Sequence, residues 1–162
     1  YKNIVIHGSS FGGGIIALLD YNKYKEVKGL VLWYAALDFN VATTKKGLLL
    51  SKEHLEIAKK EGYFTVYNPK TGRKFRLGES VFYEAGIYYP YKNLIQFDLP
   101  MLFLHGTADM VVPYQLSENV SKMCKNSKLE LIRNGTHAFA GNQVDIDDAI
   151  SRTNRFIMDI FK

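Results

Sequence analysis

The chain alternates between short apolar runs that read as buried strands and longer stretches whose apolar residues fall on a helical spacing. Asn3 to His7 carries Ile4, Val5 and Ile6 in succession and stops at Gly8. A continuous β-branched run of that length suits a parallel strand covered on both faces. Gly12 to Tyr24 follows with Ile15, Ile16, Leu18 and Leu19 at helical intervals. Lys28 to Tyr34, Pro100 to His105 and Lys128 to Arg133 repeat the strand signal. Tyr114 to Lys125 reads as a helix. Asp145 to Phe161 reads as a final amphipathic helix, with Ile146, Ala149, Ile150, Phe156, Ile157 and Ile160 on one side. Strands alternating with helices predict parallel βαβ units and an α/β fold.

Asn40 to Asp98 breaks that rhythm. Ser51 can cap a helix running to Glu61. Tyr63–Tyr67 and Arg73–Leu77 flank Asn68-Pro69-Lys70-Thr71-Gly72, a hairpin signal with a Gly-containing turn. Glu79 to Ile87 reads as a further short helix. The pattern predicts three parts: core residues 1–39, an inserted subdomain at 40–98, and core residues 99–162. The insert is dense in aromatics, among them Tyr63, Phe64, Phe82 and Tyr83. Such side chains can hold a small subdomain together or line an apolar acyl pocket.

The bulk composition, 47% hydrophobic and 23% charged over 162 residues, is that of a globular chain able to build a core. No apolar run reaches roughly 18 residues, so no membrane span is expected. The net charge of +5 comes from scattered lysines and arginines, with no run resembling a nucleic-acid tail. No nucleic-acid partner is expected. Cys124 is the only cysteine, which rules out a disulfide within the chain. A reducing, cytoplasmic location is the expectation. The start at Tyr1, inside strand-like sequence, suggests a segment of a longer polypeptide.

The chemistry begins at Gly8-Ser9-Ser10-Phe11-Gly12, a G-x-S-x-G sequence between a strand and a helix. A strand turning sharply into a helix holds the central serine at its apex in a strained conformation. Small residues at Gly8 and Gly12 are expected to let the backbones pass, and Gly13 to bring helix and strand together. In this frame Ser10 is the nucleophile and Ser9 is not. A serine hydroxyl needs a base, and the base an orienting carboxylate, met in this fold in the order serine, acid, histidine. Asp109 follows the third core strand and His137 the fourth, at the strand ends where parallel sheets place their sites.

Other residues compete. Asp38 also follows a strand and is an alternative acid. His7 and His105 are expected to stabilise the turns beside them, and His54 to lie on a helix surface in the insert. No His, Cys, Asp and Glu cluster has metal-ligand spacing, so neither a metal nor another cofactor is expected. Gly12-Gly13-Gly14 lacks the Lys-Ser/Thr of a phosphate-binding loop.

With these motifs in order, nearly the whole chain resembles the α/β-hydrolase superfamily from its fifth strand onward. The motifs are the elbow at Ser10, His105-Gly106-Thr107-Ala108-Asp109 with Val111-Val112-Pro113, and Gly135-Thr136-His137-Ala138-Phe139. More narrowly it is similar to serine esterases and lipase-like hydrolases, near the cinnamoyl/feruloyl esterases and the serine aminopeptidase-like group. The resemblance implies Ser10, Asp109 and His137 as a catalytic triad, the Phe11 backbone N–H as an oxyanion donor, and residues 40–98 as a lid. It implies cleavage of a small-molecule carboxylic ester with an aromatic or medium-length acyl group. A peptidase or amidase on the same scaffold and a catalytically silent binding module are the alternatives. The family sheet has eight strands and this chain carries about the last four. A second oxyanion donor, and a partner for the elbow strand, are therefore expected from a preceding segment or from a second copy of the chain.

Overall fold

The computed structural model of the chain describes residues 1–39, 51–67 and 72–162. In chain order the elements are β1 (Ile4–Ser9), α1 (Ser10–Ala17), β2 (Val27–Trp33), α2 (Lys52–Glu61), β3 (Tyr63–Tyr67), β4 (Lys74–Gly78), α3 (Ser80–Ile87), α4 (Pro90–Leu94), β5 (Met101–Gly106), α5 (Tyr114–Met123), β6 (Ser127–Ile132) and α6 (Gln143–Ile160). They group into two compact units, Tyr1–Asp38 with Tyr89–Lys162, and Phe39–Tyr88.

The first unit is built on a four-stranded parallel sheet in the order β1-β2-β5-β6. The two central strands are the most apolar, and Leu30, Val31, Leu32, Leu102, Phe103 and Leu104 are fully buried. Burying one such side chain stabilises the fold by about 1.5–3 kcal/mol, which makes this pair the foundation of the unit. Alternation along the strands sends side chains to opposite faces. On one face Leu30, Leu32, Met101 and Phe103 pack with Ala17 of α1 and Val120 of α5. On the other, Leu104 and Ile132 pack with Phe139 and with Ala149 and Ile146 of α6. Helices on both faces of a parallel sheet give the α/β fold expected from the sequence.

Helix α1 stops at Ala17, although its apolar spacing continues to Leu19. Tertiary bonds take over the carbonyls of its end. Tyr21 Oη donates to the Ile16 carbonyl at 2.6 Å, and Asn93 Nδ2 donates to those of Ala17 and Leu19 at 2.8 and 2.9 Å. Asp20 then caps a separate 3₁₀ turn at Tyr21–Lys23 by accepting from the Asn22 N–H. The short helix α4, which supplies Asn93, has no apolar periodicity to announce it. At the other end, Asn142 accepts from the Val144 N–H and starts α6 two residues before its expected position.

In the second unit, Ser51 caps α2 reciprocally with His54, and Gly62 ends that helix at φ +81°. β3 and β4 pair antiparallel, as the hairpin signal predicts. Of the expected turn between them, residues 68–71 lie outside the described residues. His54 is half-buried rather than on an open helix surface, because its ring stacks on Phe64 at 4.7 Å. Among the described residues no helix is long and apolar enough to cross a membrane.

Candidate active site

Three strand ends of the first unit bring Ser10, His137 and Asp109 together. Ser10 is the first residue past β1, at φ +50°. That left-handed conformation is uncommon for a residue with a Cβ and holds the hydroxyl at the apex of the strand-to-helix turn. Close approach on both sides explains the small residues here. A Cβ on Gly8 would stand 2.7 Å from Ile16 Cδ1 and 2.8 Å from the Gly12 carbonyl oxygen. A Cβ on Gly13 would collide with Ala35. Gly12 is different from its expectation: a Cβ there would meet nothing within 4 Å. The turn requires Gly8 and Gly13, and leaves open space at Gly12.

The acid and histidine loops are held together in the same way. A Cβ on Gly106 would run into the backbone of Gly135, Gly135 Cα lying 2.9 Å from it. The loops are cross-bonded as well: Ala108 N–H donates to the Gly135 carbonyl at 2.9 Å, and Asn134 N–H to Thr107 Oγ1 at 2.8 Å. Asp109 lies three residues past Gly106, and His137 two residues past Gly135. The contact between the glycines thus sets the spacing of the two side chains.

His137 Nδ1 lies 2.7 Å from Asp109 Oδ2, and His137 Nε2 lies 3.0 Å from Ser10 Oγ. An ionised carboxylate only accepts, so the ring proton sits on Nδ1. Nε2 then offers its lone pair to the Ser10 hydroxyl. The Asp109 side chain is fully buried, whereas the His137 side chain keeps 22% of its surface open to solvent. Val111 and Val112 N–H groups donate to Asp109 Oδ1 at 2.8 and 2.9 Å. Burial pushes the Asp109 carboxyl up, but hydrogen bonds from His105, His137, Val112 and Val111 outweigh it and hold the group well below the usual carboxylate range. The carboxylate on His137 is that of Asp109, not of Asp38.

Phe11 is the second residue of α1, beside Ser10, with a largely exposed side chain. His7 lies inside β1, two residues before its end, with its ring 4.7 Å from Trp33, and burial lowers its pKa. His105, expected to stabilise its turn, does so through the Val112 carbonyl at 3.0 Å, but it also reaches Asp109.

One residue packed on His137 carries no sequence signal. Tyr34, the first residue past β2, sits at φ +36° and is buried, with its ring edge-on to His137 at 4.8 Å and to Phe139 at 5.2 Å. Ala138 and Phe139 also take left-handed backbone, at φ +62° and +52°. All five non-glycine residues described with positive φ lie in the turns that carry Ser10 and His137 or, as Tyr34 does, pack on His137. Strain concentrated in this way marks a site whose geometry the surrounding fold over-determines. Among the described residues no group of three or more His, Cys, Asp or Glu side chains could hold a metal ion.

Comparison with known proteins gives this geometry a context. A model of the serine hydrolase (FSH1) family matches residues 8–146. No curated protein matches in sequence. Among solved structures, a protein from Agrobacterium vitis S4 is 24% identical, with a TM-score of 0.71 over 96% of this chain and 62% of that one. Est1E from Butyrivibrio proteoclasticus, with ferulic acid bound, is 23% identical at a TM-score of 0.72, over 96% of this chain and 60% of that one. A monoacylglycerol lipase from Paleococcus ferrophilus is 18% identical at 0.67, over 97% and 69%. These likenesses are in fold. The chain spans about three fifths of the length of the first two.

Proposed function

The chain belongs to the serine hydrolase (FSH1) family, and on that premise we propose that it cleaves carboxylic esters through an acyl-enzyme at Ser10. One observation carries the reading: a continuous line of hydrogen bonds from Ser10 Oγ through both nitrogens of His137 to a buried, ionised Asp109. A serine hydroxyl is a weak nucleophile by itself, and this arrangement is the kind that activates it.

In the proposed reaction Ser10 Oγ attacks the ester carbonyl carbon while its proton passes to His137 Nε2. The carbonyl π electrons move onto oxygen, and the backbone N–H of Phe11, at the head of α1, donates to that oxyanion. Asp109 accepts from Nδ1–H and stabilises the imidazolium. Collapse of the tetrahedral species breaks the ester C–O bond, and the departing alkoxide takes the proton from Nε2. Water, losing a proton to the same nitrogen, then attacks the acyl carbon; the acyl C–Oγ bond breaks, Ser10 Oγ takes that proton back from Nε2, and the acid leaves. A single oxyanion donor contributes about 10²–10³ in turnover, so the role given to Phe11 is a substantial one.

An apolar acyl group is part of the proposal. Phe11 directly follows Ser10, and Met110 and Val111 directly follow Asp109, and all three side chains are exposed. Large apolar side chains left open beside polar site groups favour binding an apolar ligand portion. Ferulic acid bound to Est1E supports an aromatic acyl group by analogy of fold. In this reading the part of the expected insert that belongs to the second unit, up to Tyr88, serves as a lid, on the strength of its place in the chain between the two parts of the core.

The test is hydrolysis of p-nitrophenyl acetate, butyrate and octanoate, and of methyl ferulate, beside aminoacyl p-nitroanilides. Ester turnover that vanishes in Ser10→Ala supports the proposal. Anilide turnover exceeding ester turnover would replace it with an amidase, and turnover of neither class would replace it with a binding module.

A further inference from the structure

The line of hydrogen bonds does not end at Asp109. His105, at the end of β5, is fully buried, and its Nε2 lies 3.2 Å from Asp109 Oδ2 and 3.0 Å from the Val112 carbonyl oxygen. Both neighbours are acceptors, so Nε2 carries the proton and is shared between them. On the far side of the ring, Nδ1 lies 2.8 Å from Ser117 Oγ, and Ser117, in α5, is also fully buried. With the proton on Nε2, Nδ1 accepts from the Ser117 hydroxyl. Two imidazoles therefore donate to the same oxygen of one carboxylate, each with a serine hydroxyl donating to its other nitrogen.

We propose that His105, oriented by Ser117, is a positioning residue for the reaction, acting on the Asp109 carboxylate. The inference rests on the hydrolase reading above. An aspartate has one free torsion between Cβ and its carboxylate plane. Val111 and Val112 hold Oδ1, and His105 gives Oδ2 a bond that does not depend on His137. His137 changes its protonation state twice in each half-reaction, and its partner must stay in place while that happens. His105 lies on a buried strand end and does not reach Ser10, so its effect passes through Asp109 alone. The bond to the Val112 carbonyl supports a simpler role, in which His105 only closes the turn between β5 and α5. The two roles predict different coupling. A turn-closing residue lowers stability whatever stands at position 109. A positioning residue loses its effect on turnover once the carboxylate is gone.

The experiment is a double-mutant cycle in the intact protein, with p-nitrophenyl butyrate as substrate and thermal melts alongside. His105→Leu is expected to lower kcat about 10–100-fold with KM within about threefold, the order expected when a reacting group is misplaced by about 1 Å. In an Asp109→Asn background the same change is expected to cost less than about threefold. His105→Gln, whose side-chain N–H can reach toward Oδ2, is expected to recover most of the loss. Costs that multiply independently in the cycle would overturn the assignment while leaving the hydrolase reading intact. If His105→Leu does not fold, Ser117→Ala decides by the same cycle, with an expected loss of about 3–10-fold that disappears in the Asp109→Asn background. A wild-type protein that turns over no ester and takes no fluorophosphonate would overturn the hydrolase reading, and this assignment with it.

Discussion

Gly106→Ala is the smallest change that should pull the site apart without touching any of its side chains. The added methyl carbon would lie 2.9 Å from Gly135 Cα and closer still to the carbonyl of that residue. Carbon atoms in contact settle at about 3.5–4.0 Å, so the two loops must separate by roughly 1 Å. Gly106 ends β5 in a fully buried position, and no flexible side chain can yield in place of the backbone. Overpacking of this kind costs about 1–3 kcal/mol. For a chain of this size that lowers the melting midpoint by about 2–12 °C. The same displacement stretches the 2.7 Å bond between Asp109 and His137, and 1 Å of misplacement at reacting groups costs about 100-fold in rate. Gly12→Ala supplies the contrast. Its methyl meets nothing within 4 Å, and replacing a helical glycine by alanine stabilises by about 0.5–1 kcal/mol. Thermal melts and initial rates on p-nitrophenyl butyrate read both variants. Gly106→Ala with turnover and midpoint close to wild type would refute the reasoning, as would Gly12→Ala behaving like Gly106→Ala.

Two further outcomes follow from the same geometry. Tyr34→Phe keeps the ring edge-on to His137 and should hold kcat within about threefold, whereas Tyr34→Ala should destabilise by about 3 kcal/mol or more and lower kcat at least tenfold; equal kcat values for the two would separate the ring from the site. The depressed Asp109 carboxyl gives a signed pH dependence: the folded group holds its proton less tightly than the unfolded one, so its stabilisation is present above about pH 4 and is lost as pH falls below that. The midpoint difference between wild type and Asp109→Asn should therefore hold or widen from pH 8 to pH 5 and shrink only under about pH 4; a difference that shrinks between pH 7 and pH 5 would contradict it.

The four sheet strands were legible in the sequence because each is a compact apolar run bounded by glycine, proline or charge, and parallel pairing needs no more than that. The helices were less so. Nothing local in Leu18 and Leu19 says that Asn93, more than seventy residues away, will take the carbonyls at the end of α1. The candidate site residues Ser10, Asp109 and His137 were readable because a strained elbow and two strand-end loops demand particular small neighbours. Their support was not. Tyr34 is an ordinary aromatic after a strand until the backbone turns left-handed and sets its ring on His137. Ser117 is one more serine in an amphipathic helix, and only the fold places it on the far nitrogen of His105. The one local hint was the four-residue spacing of His105 and Asp109, which reads equally well as turn stabilisation.

The central claim, that His137 and Asp109 make the hydroxyl of Ser10 reactive, is tested most directly by mass spectrometry of the protein after exposure to a fluorophosphonate. The account predicts one adduct per chain, located on the peptide containing Ser10, formed at least 100-fold more slowly in His137→Ala and absent in Ser10→Ala. An adduct on another residue, or labelling of Ser10 at the same rate without the imidazole, would contradict it.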